Sequence, residues 1–200
     1  MTQKLLQHLV LASASPRRRE LLLQLQPSLH LEVCPAAIDE QLLNQEAGEE
    51  AVRRLALAKA HRVLGALPAE RQAWPLLAAD TEVLLDGRPL GKPENTAAAR
   101  ESLTRLSGST HEVKTALVLV YQENWQQALV TTRVSFRPLA REEIEAYVAT
   151  GEFRDKAGSY AIQGRGAALI QRIEGSYTNV VGLPLEQLVC MLGSLGYRVF

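Results

Sequence analysis

The run His8-Leu9-Val10-Leu11-Ala12-Ser13-Ala14-Ser15-Pro16-Arg17-Arg18-Arg19-Glu20 decides the fold. Residues 8–13 form a short apolar run of the kind that becomes a buried strand. Small residues follow, and then Ser15-Pro16 opens a helix expected to reach about Leu25. Serine is a natural N-cap because its hydroxyl accepts a free backbone N–H, and proline suits the first helical position, where its missing N–H costs nothing. Strand, tight loop and helix in that order are the entry to an α/β architecture.

The rest of the chain continues the alternation. Residues 29–34 alternate like a half-buried strand, and 45–64 read as a helix with Val52, Leu55, Ala56, Val63 and Leu64 on one stripe. Residues 75–85 are apolar except for Asp80, Thr81 and Glu82 in the middle. Asp86-Gly87 signals a turn, and Asn95 or Thr96 caps a helix that ends at Gly108. Residues 113–121 and 127–136 predict a hairpin, 141–150 a helix stopped by Gly151, and 160–173 a strand-rich segment. Pro184 opens a last helix, with Gly196 beyond it. The expectation is an α/β fold with a mixed central β-sheet flanked by helices, since the hairpin adds antiparallel pairing. No linker divides the chain, so a single domain over 1–200 is expected.

Composition narrows the function classes. Lys plus Arg and Asp plus Glu both number 22, for a net charge of zero. That argues against a general nucleic-acid binder, so basic clusters must be local sites. The two cysteines, Cys34 and Cys190, form no CxxC pair, and His8, His30, His61 and His111 have no ligand spacing, so no zinc site is indicated. No run approaches the roughly 20 apolar residues of a membrane span. The first apolar run is short and lacks a cleavage site, so a cytoplasmic address is expected.

The chemistry concentrates at a few positions. Arg17 and Arg18 fall in the first turn of the first helix, where cations face the positive end of the helix dipole. A polyanion there would reverse that penalty: free backbone N–H groups, the hydroxyls of Ser13 and Ser15 and forked guanidinium donors all bind phosphate oxygens. The alternative is a solvated charged face. This is no Walker A loop, and Gly164-Arg165-Gly166 lacks the third glycine of a dinucleotide fingerprint. Asp80 follows Leu76-Leu77-Ala78-Ala79, and a carboxylate in such a strand is costly unless paired or metal-bound. It reads either as a site residue at a strand's carboxyl end, binding Mg²⁺ or taking a proton from water, or as the cap of a turn. Asp39-Glu40, in a loop, supplies the second carboxylate or merely another loop acid. Lys59 aligns with Leu55 and Val63 on the apolar stripe, so it either snorkels or points into a cleft toward an anion. Lys92, in Gly91-Lys92-Pro93, reaches a phosphate or lies on the surface. No GxSxG elbow supports a serine nucleophile.

Five blocks carry a resemblance: LASASPRRRELL from Leu11, AADTEVLLDGRPLGKP from Ala78, LTRLSGSTHEVKT from Leu103, DKAGSYAIQG from Asp155 and GSYTNVVGLPL from Gly175. Together they resemble the Maf family of nucleoside triphosphate pyrophosphatases, in family order over nearly the whole chain. The chain departs at Ala78-Ala79, where a glycine is common, and at Ala116, where glycine is usual; both are small-for-small. The resemblance implies hydrolysis of a triphosphate to monophosphate and pyrophosphate with a divalent cation, Mg²⁺ or Mn²⁺. It also implies two lobes around a substrate cleft, and the homodimer that many members form. By motif, Asp80 resembles the proton acceptor, and Arg17, Thr81 and Gln163 the substrate-selecting positions. Ser13, Arg18, Glu40, Lys59 and Lys92 resemble phosphate, metal or support residues, with Glu40 and Asp80 as the metal pair. The block ending in Gln163 is similar to the dTTP and UTP branch; the 7-methyl-GTP branch carries glutamate there. A non-enzymatic nucleotide sensor acting in cell division is the rival of another class. It needs the phosphate loop but not the acidic set. An RNA-binding module built on residues 17–19 is weakened by the neutral charge and a 5% aromatic content.

Overall fold

The chain is described here from a computed structural model that covers residues 3–41, 43 and 46–200. Its elements in order are β1 (Lys4–Leu5), β2 (His8–Leu11), α1 (Pro16–Leu25), β3 (His30–Val33), α2 (Gly48–Leu64), α3 (Ala69–Gln72), β4 (Leu76–Leu85), β5 (Arg88–Pro89) and α4 (Thr96–Leu106). Then follow β6 (Thr110–Tyr121), β7 (Asn124–Phe136), α5 (Arg141–Ala149), β8 (Ile170–Glu174), α6 (Tyr177–Val181), α7 (Leu185–Ser194) and β9 (Tyr197–Arg198). The main sheet runs β3-β2-β4-β6-β7-β8, with β5 paired to β4, and β1 pairs with β9 apart from it. β2 is parallel to both β3 and β4, whereas β4, β6, β7 and β8 pair antiparallel. The expected mixed sheet flanked by helices is present, parallel around β2 and antiparallel from β4 onward.

Strand alternation divides the core in two. On β2 and β4 the residues Val10, Ala12, Leu76 and Ala78 pack under α2, whose Val52, Ala56, Ala60 and Val63 form its buried stripe. Leu9, Leu11, Leu77 and Ala79 point to the opposite face, where Leu21 and Leu22 of α1, Leu103 of α4, Ile144 of α5 and Leu188 of α7 cover them. Each fully buried Leu or Val contributes about 1.5–3 kcal/mol relative to exposure. Two layers of helices therefore hold the sheet, and a residue's parity along β4 decides which layer it meets. Among the described residues no helix is long and apolar enough to cross a membrane.

Two expectations need correction. Residues 160–173 are not strand-rich: Ala157–Ser159 and Gly164–Leu169 are 3₁₀ segments, and only Ile170–Glu174 joins the sheet. The backbone turns left-handed at Gly158 (φ 69), Ser159 (φ 64) and Gly164 (φ 74), which no continuous strand tolerates. The expected helix over 45–64 is seen as Gly48–Leu64; its expected first residue, Gln45, lies outside the described residues. The hairpin is also longer than expected, closing at the pair Tyr121–Asn124, because Thr110 to Glu112 and Asn124 to Gln126 extend the ladder.

The packing buries a histidine outside the cleft. His111 on β6 is 2% exposed; its Nε2 lies 2.8 Å from the Tyr160 hydroxyl, and its Nδ1 has no partner among the described residues. Desolvation pushes its pKa down to about 4. A base whose folded pKa is depressed stabilises the fold above its unfolded value near 6.5 and loses that contribution as pH falls toward the folded value. Urea unfolding of wild type is expected to lose about 3 kcal/mol more between pH 7 and pH 4 than unfolding of His111→Gln, whose amide does not titrate. Parallel pH profiles for the two proteins would refute this.

Candidate active site

β4 outruns its parallel neighbour. It pairs with β2 only at Leu76 and Leu77, yet with β6 as far as Leu84. β2 stops at Leu11, and the chain leaves the sheet through residues 12–15 into α1. Asp80, Thr81 and Glu82 therefore border a gap beyond the carboxyl end of β2, which is where ligands sit in open α/β sheets. Asp80 is mid-strand, not at the end of its own strand; the strand that ends beside it is β2. The gap opens into a cleft of about 640 Å³, within the range of small-molecule sites.

On the α2 side, Asp80 continues the Leu76-Ala78 face and meets Lys59. The ammonium of Lys59 is 2.6 Å from Asp80 Oδ1 and 2.6 Å from Glu40 Oε1, and Lys92 Nζ is 3.4 Å from Glu40 Oε2. Lys59 and Asp80 are 7% and 8% exposed, so theirs is a buried pair, whereas Lys92 is open to solvent. The charges thus alternate as Asp80, Lys59, Glu40, Lys92. Burial pushes the Glu40 carboxyl up, but the hydrogen bond and charge of Lys59, with Lys92 adding to them, hold it below the usual carboxylate range. Lys59 thus points at carboxylates of the cleft and does not snorkel.

Glu82 is the acid the sequence reading passed over. It lies two residues beyond Asp80, on the cleft wall, and its Oε1 accepts from Val83 N and Gly91 N. Burial raises its pKa; those N–H groups oppose the rise, and Asp80 adds to it. The period-2 spacing from Asp80 was the signal that could have found it. Among the described residues no group of three or more His, Cys, Asp or Glu side chains is arranged to hold a metal.

On the opposite face, Thr81 meets Arg18. The guanidinium donates from Nε to Gly182 O at 2.8 Å, from Nη1 to Ala79 O at 2.8 Å and Ser13 Oγ at 3.1 Å, and from Nη2 to Thr81 Oγ1 at 3.0 Å. A guanidinium has five N–H donors, and these four bonds leave one. Arg18 is 8% exposed and acts as a tie between loop, strand and the end of α6. Ser13 is likewise committed, accepting from Ser15 N at 3.2 Å as well. Ser15 caps α1 as expected, accepting from Arg18 N. Thr81 Oγ1 is shared with Thr115 Oγ1 at 2.9 Å, and Thr115 donates to Asn179 O.

Arg17 is the contrasting neighbour. One residue further round α1, it is half-buried on the cleft wall and makes no side-chain hydrogen bond among the described residues. Burial lowers its pKa, with Asp155 and then Glu20 opposing. Lys156, across the cleft, is lowered by burial and then by Arg17. Gln163 is exposed on the same wall, with no side-chain hydrogen bond among the described residues. It does not end a strand but precedes the 3₁₀ segment Gly164–Leu169. The Asp155 loop is fastened to the Lys92 segment by Gly158 N donating to Gly91 O at 2.9 Å. All the expected site residues line this one cleft.

The sequence model of the Maf-like protein family matches residues 8–195. The chain belongs to the Maf-like family. It is 48% identical over 189 residues to a dTTP/UTP pyrophosphatase of Methylobacillus flagellatus, covering 94% of this chain and 93% of the relative. It is 50% identical over 188 residues to a dTTP/UTP pyrophosphatase of Myxococcus xanthus, covering 94% and 92%. A HAM1 protein from Coxiella burnetii shares the fold, with a TM-score of 0.51 at 17% identity over 94% of this chain and 99% of that one. In this Maf-like chain the two adjacent arginines of the first loop have divided their work, one inward and one toward the cleft.

That division predicts opposite stability effects. Arg18→Ala leaves the Gly182 and Ala79 carbonyls and two hydroxyls without their donor and should cost at least about 3 kcal/mol in urea unfolding. Arg17→Ala removes no side-chain hydrogen bond among the described residues and should stay within about 1 kcal/mol of the parent. Equal losses in the two variants would contradict the assignment.

Proposed function

We propose that this Maf-like chain hydrolyses nucleoside triphosphates, dTTP and UTP foremost, to the monophosphate and pyrophosphate. The observation that carries the reading is Asp80, a carboxylate held by the buried Lys59 where β4 borders the cleft, in the same cleft as Arg17, whose side chain makes no hydrogen bond among the described residues. The relatives named above, alike in length and nearly half identical, carry that activity in their names. Arg17, Lys92 and Lys156 offer cationic donors to a phosphate tail, and Arg18 with Ser13 keeps the loop that presents Arg17 in shape. Asp80 has Oδ1 on Lys59, and its second oxygen is the one that takes a proton from the attacking water. Attack is in line on the α-phosphorus, with pyrophosphate leaving. Lys59 stabilises the ionised carboxylate before the proton arrives.

The donor set fits a hard divalent cation. Glu40 and Asp80 are brought together by the Lys59 ammonium, and each keeps a second carboxylate oxygen that is not on Lys59. Two carboxylates supplemented by substrate phosphate oxygens are the usual protein share of a Mg²⁺ site. Glu40 and Asp80 would hold Mg²⁺ or Mn²⁺, which supplies neutralisation of the charge that develops on the phosphate oxygens.

Asp80→Asn keeps the shape and loses the basicity. Turnover of UTP should fall by roughly 10²–10⁴-fold, while a non-hydrolysable triphosphate still binds with a measurable Kd. Activity within a few-fold of the parent would remove Asp80 from the mechanism.

Gln163 is assigned to the base. Its planar amide offers one acceptor and two donors, and uracil and thymine present a carbonyl beside an N3–H. Guanine presents two adjacent donors, which suit a carboxylate. Gln163→Glu should lower kcat/KM for UTP and dTTP by about 1–3 kcal/mol and shift the UTP-to-GTP ratio toward GTP. A steady-state panel in which that ratio stays constant would exclude Gln163 as the contact.

A further inference from the structure

Gln163 is aimed by its backbone alone, since its side chain makes no hydrogen bond among the described residues. The backbone around it is strapped to the end of α5 by two side chains outside the cleft. The Tyr147 hydroxyl accepts from Ala161 N at 3.1 Å, two residues before Gln163. The Glu152 carboxylate accepts from Arg165 N at 3.2 Å and 3.1 Å, one to each oxygen, and from Gly166 N at 3.2 Å. Glu152 is itself placed by its own N–H, which donates to Thr150 Oγ1 at 3.1 Å, while that hydroxyl donates to Tyr147 O at 2.6 Å. The strap is closely fitted. A Cβ on Gly166 would lie 2.1 Å from Ala161 O, and one on Gly164, where φ is +74, would lie 3.2 Å from Glu152 Oε1. Residues 161–166 thus form a tight loop with Gln163 at its tip, and a carboxylate gripping the N–H groups that open the 3₁₀ segment fixes its far side.

We propose that Glu152 is a positioning residue for base selection, acting through Gln163; this rests on the reading of Gln163 as the base contact. Glu152 touches neither the base nor the phosphates. It holds the N–H groups of Arg165 and Gly166 so that the amide of Gln163 meets the pyrimidine edge at a fixed angle. Nothing in this arrangement bears on Asp80 or Lys59, so loss of Glu152 should affect binding of the preferred base and spare the hydrolytic step.

The test uses Glu152→Ala, Glu152→Gln, Gln163→Ala and the double alanine variant, with kcat and KM for UTP and GTP and amide hydrogen exchange at Arg165 and Gly166. Glu152→Ala should raise KM for UTP about tenfold with kcat within about threefold, cut the UTP preference about tenfold, and speed exchange at both amides. Glu152→Gln, whose carbonyl still accepts, should keep most of the preference. The double variant should select no worse than Gln163→Ala, because both lesions act on one contact. If UTP and GTP turnover fall together in Glu152→Ala, the residue is a structural support only and the inference is overturned. If Gln163→Ala abolishes the preference while Glu152→Ala retains it, the inference is overturned and the Gln163 assignment stands. If Gln163→Ala leaves the preference intact, the base assignment is overturned, and any effect of Glu152 does not pass through Gln163.

Discussion

Two buried cations grip one strand from opposite faces, and the cleft depends on that grip. Asp80 and Thr81 are consecutive on β4, so their side chains leave the sheet on opposite sides. Lys59 comes from α2 to the first, and Arg18 from α1 to the second and to the carbonyl of Ala79 between the two layers. Between Leu77, where pairing with β2 ends, and Leu84, where pairing with β5 begins, that edge of β4 has no ladder partner among the described residues, and the Ala79 carbonyl there takes its bond from the guanidinium. Burying a cation is costly, and a buried pair seldom stabilises more than apolar residues of the same size would. What the arrangement supplies is position. A missing strand is replaced by side chains that fix where the carboxylate stands, and the space the strand would have filled becomes the cleft.

This accounts for the division of the loop arginines. Successive helix residues are rotated by about 100°, so Arg17 and Arg18 cannot both face the cleft. Arg18 shares its face of α1 with Leu21 and Leu22, three and four residues on, and is drawn into the protein with them. Arg17 is left on the rim. The burial of Arg18 was therefore legible in the phase of the leucines, although its chemistry alone suggested a phosphate ligand. The N-cap at Ser15, the mixed sheet and the oddity of Asp80 in an apolar strand were also legible, since each is a local pattern with a local cause.

What the sequence concealed is non-local or depends on left-handed backbone. Lys59 on an apolar stripe is ambiguous until Asp80, 21 residues away, is seen beside it. The gap beyond β2 follows from unequal strand lengths, and only the register shows it. Residues 160–173 read as strand-rich, but Ser159 just before them adopts φ 64 next to Gly158 at φ 69. A left-handed serine has no sequence signature, whereas Gly164 and Gly166 so close together were a warning that the strand pattern would not hold.

The electrostatics of the cleft complete the argument for an anionic ligand. Asp80 and Glu40 are compensated by Lys59, and Glu40 again by Lys92, while Glu82 is held by the backbone N–H groups of Val83 and Gly91. Arg17 and Lys156 make no such ion pair among the described residues. Arg17 has only the more distant charges of Asp155 and Glu20 to oppose its burial, and Lys156 is further disfavoured by Arg17 itself. Burial disfavours the charged form of both Arg17 and Lys156, and Arg17 disfavours that of Lys156 further; a polyanion between them favours both charged forms. Because the whole chain is neutral, this attraction is short-ranged and acts within about one Debye length, roughly 10 Å at 0.1 M salt. The cleft thus has no general basic field to steer nucleic acid along a surface. It has two cationic donors, Arg17 and Lys156, lining a pocket in which Asp80 and Glu40 are already paired with lysines, an asymmetry that suits an anionic ligand.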